Sequence, residues 1–206
     1  FKGDIKINEW LSANAISDFS SYSYKYPLTS FGGRNAILRL LVVSAFPIAP
    51  VFNPDGSLTR VGATGVGDFY YGKSFSLTQH NFLRNTVGLN AAIINNNLNL
   101  KADFSYLYTN TKNNFKYIPV PYSNAPGTII RSGINDYTEN TANRSYYVGN
   151  IYADFSQSFG NHNLKLLGGW NLEYDKLTNL NISRDGLLLD DLSDFNLATG
   201  TNYRIT

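Results

Sequence analysis

Leu98-Asn99-Leu100-Lys101-Ala102-Asp103-Phe104-Ser105-Tyr106-Leu107-Tyr108 is the stretch on which the reading of this chain turns. Its even positions are Leu98, Leu100, Ala102, Phe104, Tyr106 and Tyr108, and its odd positions include Asn99, Lys101, Asp103 and Ser105. Period-two alternation puts successive side chains on opposite faces of a sheet, so one face is oily and the other polar. The pattern recurs three times. Leu83, Val87, Leu89, Ala91 and Ile93 alternate with Arg84, Thr86, Gly88 and Asn90; Tyr147, Gly149, Ile151, Ala153 and Phe155 alternate with Asn150 and Asp154; Leu164, Leu166, Gly168, Trp170, Leu172 and Tyr174 alternate with Lys165, Asn171, Glu173 and Asp175.

Working outward, the spacers are of two alternating kinds. Asn95-Asn96-Asn97 and Gly160-Asn161-His162-Asn163 are tight-turn material, because Asn and Gly tolerate the positive φ of hairpin turns. Long connections are read at about 10–75, 119–142 and 184–202. Short turns on one edge of a sheet and long loops on the other are the pattern of transmembrane β-barrels. Length agrees: a strand rising about 3.3 Å per residue at about 45° needs about ten steps to cross an apolar band of about 25 Å. Residues 98–108 and 164–174 each supply that length, and aromatics crowd the long-loop end of each oily face. The expected fold is therefore all-β, a segment of a large antiparallel transmembrane β-barrel over 1–206 with four complete strands and two partial ones. Leu89, Ala102, Phe104, Ile151, Phe155, Leu166 and Leu172 are expected to face lipid. The alternative is a soluble β-sandwich ligand-binding module that packs the same oily face on a second sheet.

Composition narrows the classes. Charged residues make up 16% and aromatics 15%, too aromatic and too weakly charged for a disordered tail. A net charge of +2 does not announce a nucleic-acid partner. With no Cys there is no disulfide framework, thiolate metal site or cysteine nucleophile. No apolar run reaches the length of a membrane-spanning helix. Phe1-Lys2-Gly3-Asp4-Ile5 and Tyr203-Arg204-Ile205-Thr206 already read as strands, and the chain is read as a fragment from the middle of a barrel. One short loop helix is expected near 34–45, ended by Pro47, and Asn53-Pro54-Asp55-Gly56 reads as a type I turn.

Three stretches carry a family resemblance. They are Pro47-Ile48-Ala49-Pro50-Val51 with Asn53-Pro54-Asp55-Gly56-Ser57, then Phe82-Leu83-Arg84-Asn85, then Asn163-Leu164-Lys165-Leu166-Leu167-Gly168-Gly169-Trp170-Asn171 followed by Ser183-Arg184-Asp185-Gly186-Leu187. In order and spacing the chain resembles the SusC/RagA family of TonB-dependent outer-membrane transporters of Bacteroidota. The resemblance implies an outer-membrane location and energised uptake of oligosaccharides or oligopeptides. It implies as partners a SusD-like surface lipoprotein, the TonB system, a glycan or peptide ligand and outer-membrane lipid. The family's plug and TonB-box do not lie in this sequence, and about 22 strands are needed to close such a barrel.

No enzyme chemistry is expected, and no cofactor or metal. His80 and His162 lack metal-ligand spacing and read as surface or turn residues. Asp190, Asp191 and Asp194 lack the order of a calcium loop and read as a solvated acidic loop. Gly62, Gly65 and Gly67 read as loop, not as a phosphate cradle, and the sequons at Asn143 and Asn181 as chance occurrences. The candidate sites lie on the polar faces. Arg84, Thr109, Tyr146, Asn150, Glu173 and Asp175 sort to the upper lumen wall as substrate candidates, and Asn90, Lys101, Asp154 and Lys165 to the lower wall as plug contacts.

Overall fold

The computed structural model describes residues 1–29, 31, 42, 48–94 and 97–206. Its main element is an antiparallel meander of seven strands in the order β1 (Lys2–Lys6), β2 (Leu11–Pro27), β3 (Phe75–Ile94), β4 (Leu98–Tyr117), β7 (Asp136–Phe159), β8 (His162–Asp185) and β9 (Tyr203–Ile205). A separate two-stranded ladder joins β5 (Pro121–Tyr122) to β6 (Ile130–Arg131). The order runs from β1 to β9 without returning on itself. No helix among the described residues is long and apolar enough to cross a membrane, which says nothing of crossing by strands.

The four alternating runs all lie in strands, and the strands are longer than the runs: β7 and β8 have 24 residues each. The stretch read as a loop over 10–75 is corrected, because it opens with the 17-residue β2. Ala13, Ala15 and Ser17 on one side of β2 oppose Asn14, Ile16 and Asp18 on the other, a contrast too weak to announce a strand. With β2 in place the meander has five long strands and a short one at each end, in place of four complete and two partial. The long connections become 28–74, 118–135 and 186–202, and the short ones lie at 7–10, 95–97 and 160–161. The short turns still share one edge. At the first, Asn8 Oδ1 accepts from the amides of Trp10 and Leu11 at 3.0 and 2.8 Å. Asn95 and Asn96 of the second turn fall outside the described residues, as does the helix expected over 34–45 apart from Val42.

Glycines read as loop belong instead to a continuous helical run made of α1 (Arg60–Gly62), a π turn (Ala63–Gly67) and α2 (Asp68–Tyr71). Thr59 caps it by accepting from the Gly62 amide at 2.9 Å. The glycines serve close packing: a Cβ on Gly67 would stand 2.7 Å from Val120 Cγ1. The turn at Asn53 forms as expected, with the Gly56 amide donating to Asn53 O at 2.9 Å.

The chain divides into two compact units. A short-turn unit holds 1–22, 80–110 and 142–178, and a long-loop unit holds 23–79, 111–141 and 179–206. The long-loop unit holds small hydrophobic cores. Ile118, Tyr137, Leu187 and Ala198 pack with Tyr71 and Phe195; Leu28 packs with Phe115 and Tyr117; Ala63 packs with Val120 and Tyr122. Among the described residues of the short-turn unit no side chain is buried. Its oily side chains stay open, Ile151 and Leu166 being 53% and 58% exposed.

Candidate functional site

Cross-strand bonds show which side chains share the polar face of the short-turn unit. Asn99 donates to Asp154 at 2.9 Å and Asn150 to Asp103 at 2.8 Å, so each step up β4 is matched by an equal step down β7. Asn171 of β8 donates to Asn150 Oδ1 at 2.6 Å, and Thr86 of β3 bonds Ser105 of β4 at 2.6 Å. The result is a ladder of side chains laid across β2, β3, β4, β7 and β8.

Toward the long-loop end of the ladder, the Arg84 guanidinium donates through Nε and Nη2 to Asp18 Oδ2 at 3.0 and 2.6 Å. Arg144 grips Asp175 with Nη2 to Oδ2 at 2.7 Å, and the Tyr146 hydroxyl donates to Glu173 at 2.8 Å. Thus Arg84, Tyr146, Glu173 and Asp175, read from the sequence as one set, lie near one level of the face. Asn150 stands lower, at mid-height, because its partner is Asp103. Thr109 lies on the same face of β4 and is half-buried.

At the short-turn end, Lys101 stands 3.8 Å from Asp154 and places its ammonium 5.5 Å from the Tyr152 ring. Asn90 and Lys101 join Asn14, Asn99 and Glu9 around a hollow of about 650 Å³. Gly88 makes the adjoining room, since a Cβ there would lie 2.1 Å from Asn14 Oδ1. Lys165 is exposed on β8 and does not line the hollow. The structure therefore gathers Asn90, Lys101 and Asp154, and leaves Lys165 apart.

Sequence reading missed the partners. Asp18 lay in the unrecognised β2, and Arg144 was seen only as the middle of a sequon. Asp103 and Asn171 were legible as polar positions of the alternation, but which residue of the next strand each would meet depends on register. Because each arginine is paired, the upper face carries little free positive charge, and pairs about half exposed hold their geometry more than they add stability.

The larger concavity lies on the opposite face. An open trough of about 770 Å³ is lined by Ile5, Val87, Leu89, Phe104, Ile151 and Leu172, over a floor of small residues such as Ala13, Ala15, Ala102 and Gly149. Above it the Tyr147 ring stacks on Tyr106 at 4.8 Å and lies 6.3 Å from Phe104 and 6.1 Å from Tyr174. This is a belt of aromatics spanning three strands.

In the long-loop unit the acidic loop is bonded rather than merely solvated. The Tyr71 hydroxyl donates to Asp190, Arg131 Nη1 donates to the same oxygen at 2.6 Å, Lys73 pairs with Asp191, and Asp194 accepts from the Asn196 amide at 2.8 Å. Burial alone raises the Asp190 pKa, but the bonds from Tyr71 and Arg131 outweigh it and hold the carboxyl below the usual range. Burial, and then the bond to Asp190, push the Tyr71 hydroxyl up. No three His, Asp or Glu side chains gather as a metal site among the described residues. His80 lies against the Tyr22 ring at 5.0 Å, and both sequon asparagines are engaged, Asn143 with Tyr108 and Asn110, and Asn181 with Asn140. Compared with protein-family models and with curated proteins, the chain matches none.

Proposed function

We propose that this chain is a stretch of wall of a transmembrane β-barrel in the bacterial outer membrane, part of a TonB-dependent nutrient importer of SusC/RagA type. One observation carries the reading: among the described residues, the long strands of the short-turn unit carry an oily face with no buried side chain, while every buried side chain belongs to the long-loop unit. Oil exposed over so many strands needs an apolar solvent, and the aromatic belt at one end of the oily face suits a lipid interface. On this reading the polar ladder faces the lumen. Its upper members, Arg84, Thr109, Tyr146, Glu173 and Asp175, with Asn150 at mid-height below them, meet an oligosaccharide or oligopeptide or a SusD-like lipoprotein, and the lower hollow around Asn90 and Lys101, with Asp154, holds the plug that the TonB system moves. Lys165 would reach the plug separately.

A second reading, a soluble module for an apolar ligand, is favoured by the trough on the oily face, whose volume and lining suit a small-molecule site. The two separate on extraction. A barrel wall fractionates with outer membranes and leaves them only with detergent, whereas appearance in the aqueous fraction without detergent would defeat the importer reading. Alanine at Tyr146, Asn150 and Glu173 together should then lower uptake, each lost hydrogen bond contributing about 0.5–1.5 kcal/mol, with barrel assembly unchanged.

A further inference from the structure

The connection from β8 to β9 is built in two parts. Its neck is firm: Leu187 pairs with Ala198 across an antiparallel bridge, both are buried, and Asn135 bonds both backbone groups of Leu187 at 3.2 Å. Gly186, at φ 70°, crosses so near Gly200 that a Cβ would lie 2.6 Å from its nitrogen. Beyond the neck the tip is of different character, with Leu188, Leu189 and Leu192 each about half exposed. Its polar side chains reach the rest of the long-loop unit through two neighbouring carboxylates. Asp190 accepts from Tyr71 and Arg131, with Arg131 Nη2 also donating to the Tyr71 hydroxyl at 3.2 Å, and Asp191 takes Lys73.

Lys116 makes the arrangement more than a surface clasp. It is 1% exposed, its ammonium lies 5.9 Å from the Phe75 ring, and among the described residues it has no ion pair. A buried ammonium without a bonded anion is expensive to maintain. Burial holds the Lys116 ammonium below its ordinary value, and of the charges that act on it Asp191 and Asp190 raise it while Lys73 and Lys25 lower it. The carboxylates on the tip thus fasten it to three polar groups of the same unit.

We propose that residues 188–194 form a salt-labile strap, hinged at the Gly186 and Gly200 neck and latched through Asp190 and Asp191, whose release frees Tyr71 and Lys73. The latch bonds are partly exposed, so salt screens them, while the apolar neck is indifferent to it. The strap stands on the geometry of the long-loop unit and does not rest on the uptake reading.

The test uses the full chain in detergent micelles and reads acylation of Lys73 by an amine-reactive ester, by peptide mass, beside hydrogen exchange of the backbone amides. Wild type at low salt should protect Lys73. Raising salt to about 1 M, or the pair Asp190→Asn with Asp191→Asn, should speed both Lys73 acylation and exchange over 188–194 by about tenfold, leaving Leu187 and Ala198 as slow as before. The reversed pair, Asp190→Arg with Arg131→Asp, should restore protection. Equal labelling in all proteins and salts would show a rigid loop and overturn the strap. Loss of protection at Leu187 and Ala198 together with the tip would overturn the hinge, and the salt series on unaltered protein keeps both outcomes readable if a variant does not fold.

Discussion

At Phe104 and Leu172 the consequence of the side-chain face is sharpest. Both stand on the oily side, about half exposed, and in lipid an arginine there would have to be taken out of water. Phe104→Arg and Leu172→Arg should each cost about 2–4 kcal/mol in urea unfolding from lipid vesicles, and Asn171→Arg on the other face less than about 1 kcal/mol. Equal costs on the two faces would contradict a lipid-facing side. A second residue-scale prediction concerns Gly67. The methyl of Gly67→Ala would press into Val120, and overpacking of this kind costs about 1–3 kcal/mol. Val120→Ala alone should also destabilise, but the two changes together should cost less than their sum, which thermal melts of the four proteins would show. Of the residue roles, the faces of Asn150 and Lys101 were readable from alternation; that Asn150 links Asp103 to Asn171 was not, since no local rule says which side chain stands across the next strand.

Among the elements, the strap has the clearest pH signature. Asp190 carries a carboxyl held below its ordinary 3.8, so its contribution is complete above that value and is lost as pH falls through the lower, folded one. Tyr71 is held above its ordinary 10.0, so its contribution is complete below that value and is lost as pH climbs through the raised one. Arg131 and Lys73 are both held above their ordinary values by their bonds to Asp190 and Asp191, so exchange protection over 188–194 should be flat from about pH 4 to about pH 10 and fall on both sides. A midpoint near pH 7 would point to some other group. The elements also mark where sequence reading runs out. The four strands with bulky oily faces announce themselves, whereas β2 hides because Ala13 and Ala15 are too small to stand out against Ser12 and Asn14. The run from Arg60 to Tyr71 hides because glycines, poor helix formers, are tolerated where Val120 and Val51 press close.

For the whole molecule the prediction is one of sidedness. If the sheet is a barrel wall, an epitope tag after Asn124, in the long connection between β4 and β7, should be reached by antibody on intact cells, and a tag after Asn161, in a short turn, only after lysis. Reversed labelling would invert the topology, and labelling of both would remove the membrane from the account. The sequence by itself determined the all-β character, the direction in which each of the four alternating strands faces, and the separation of tight turns from long connections. Each of these is a local property, carried by period-two patterning and by turn chemistry within a few residues. Only the tertiary structure decided that β2 completes the meander, that Asp18 meets Arg84 and Arg144 meets Asp175, and that Asp190 is spent on Tyr71 and Arg131. Those pairings join residues 31 to 66 positions apart, or 59 and 119 in the strap. They depend on strand register and loop packing, and a one-residue slip would redirect every one of them to the opposite face.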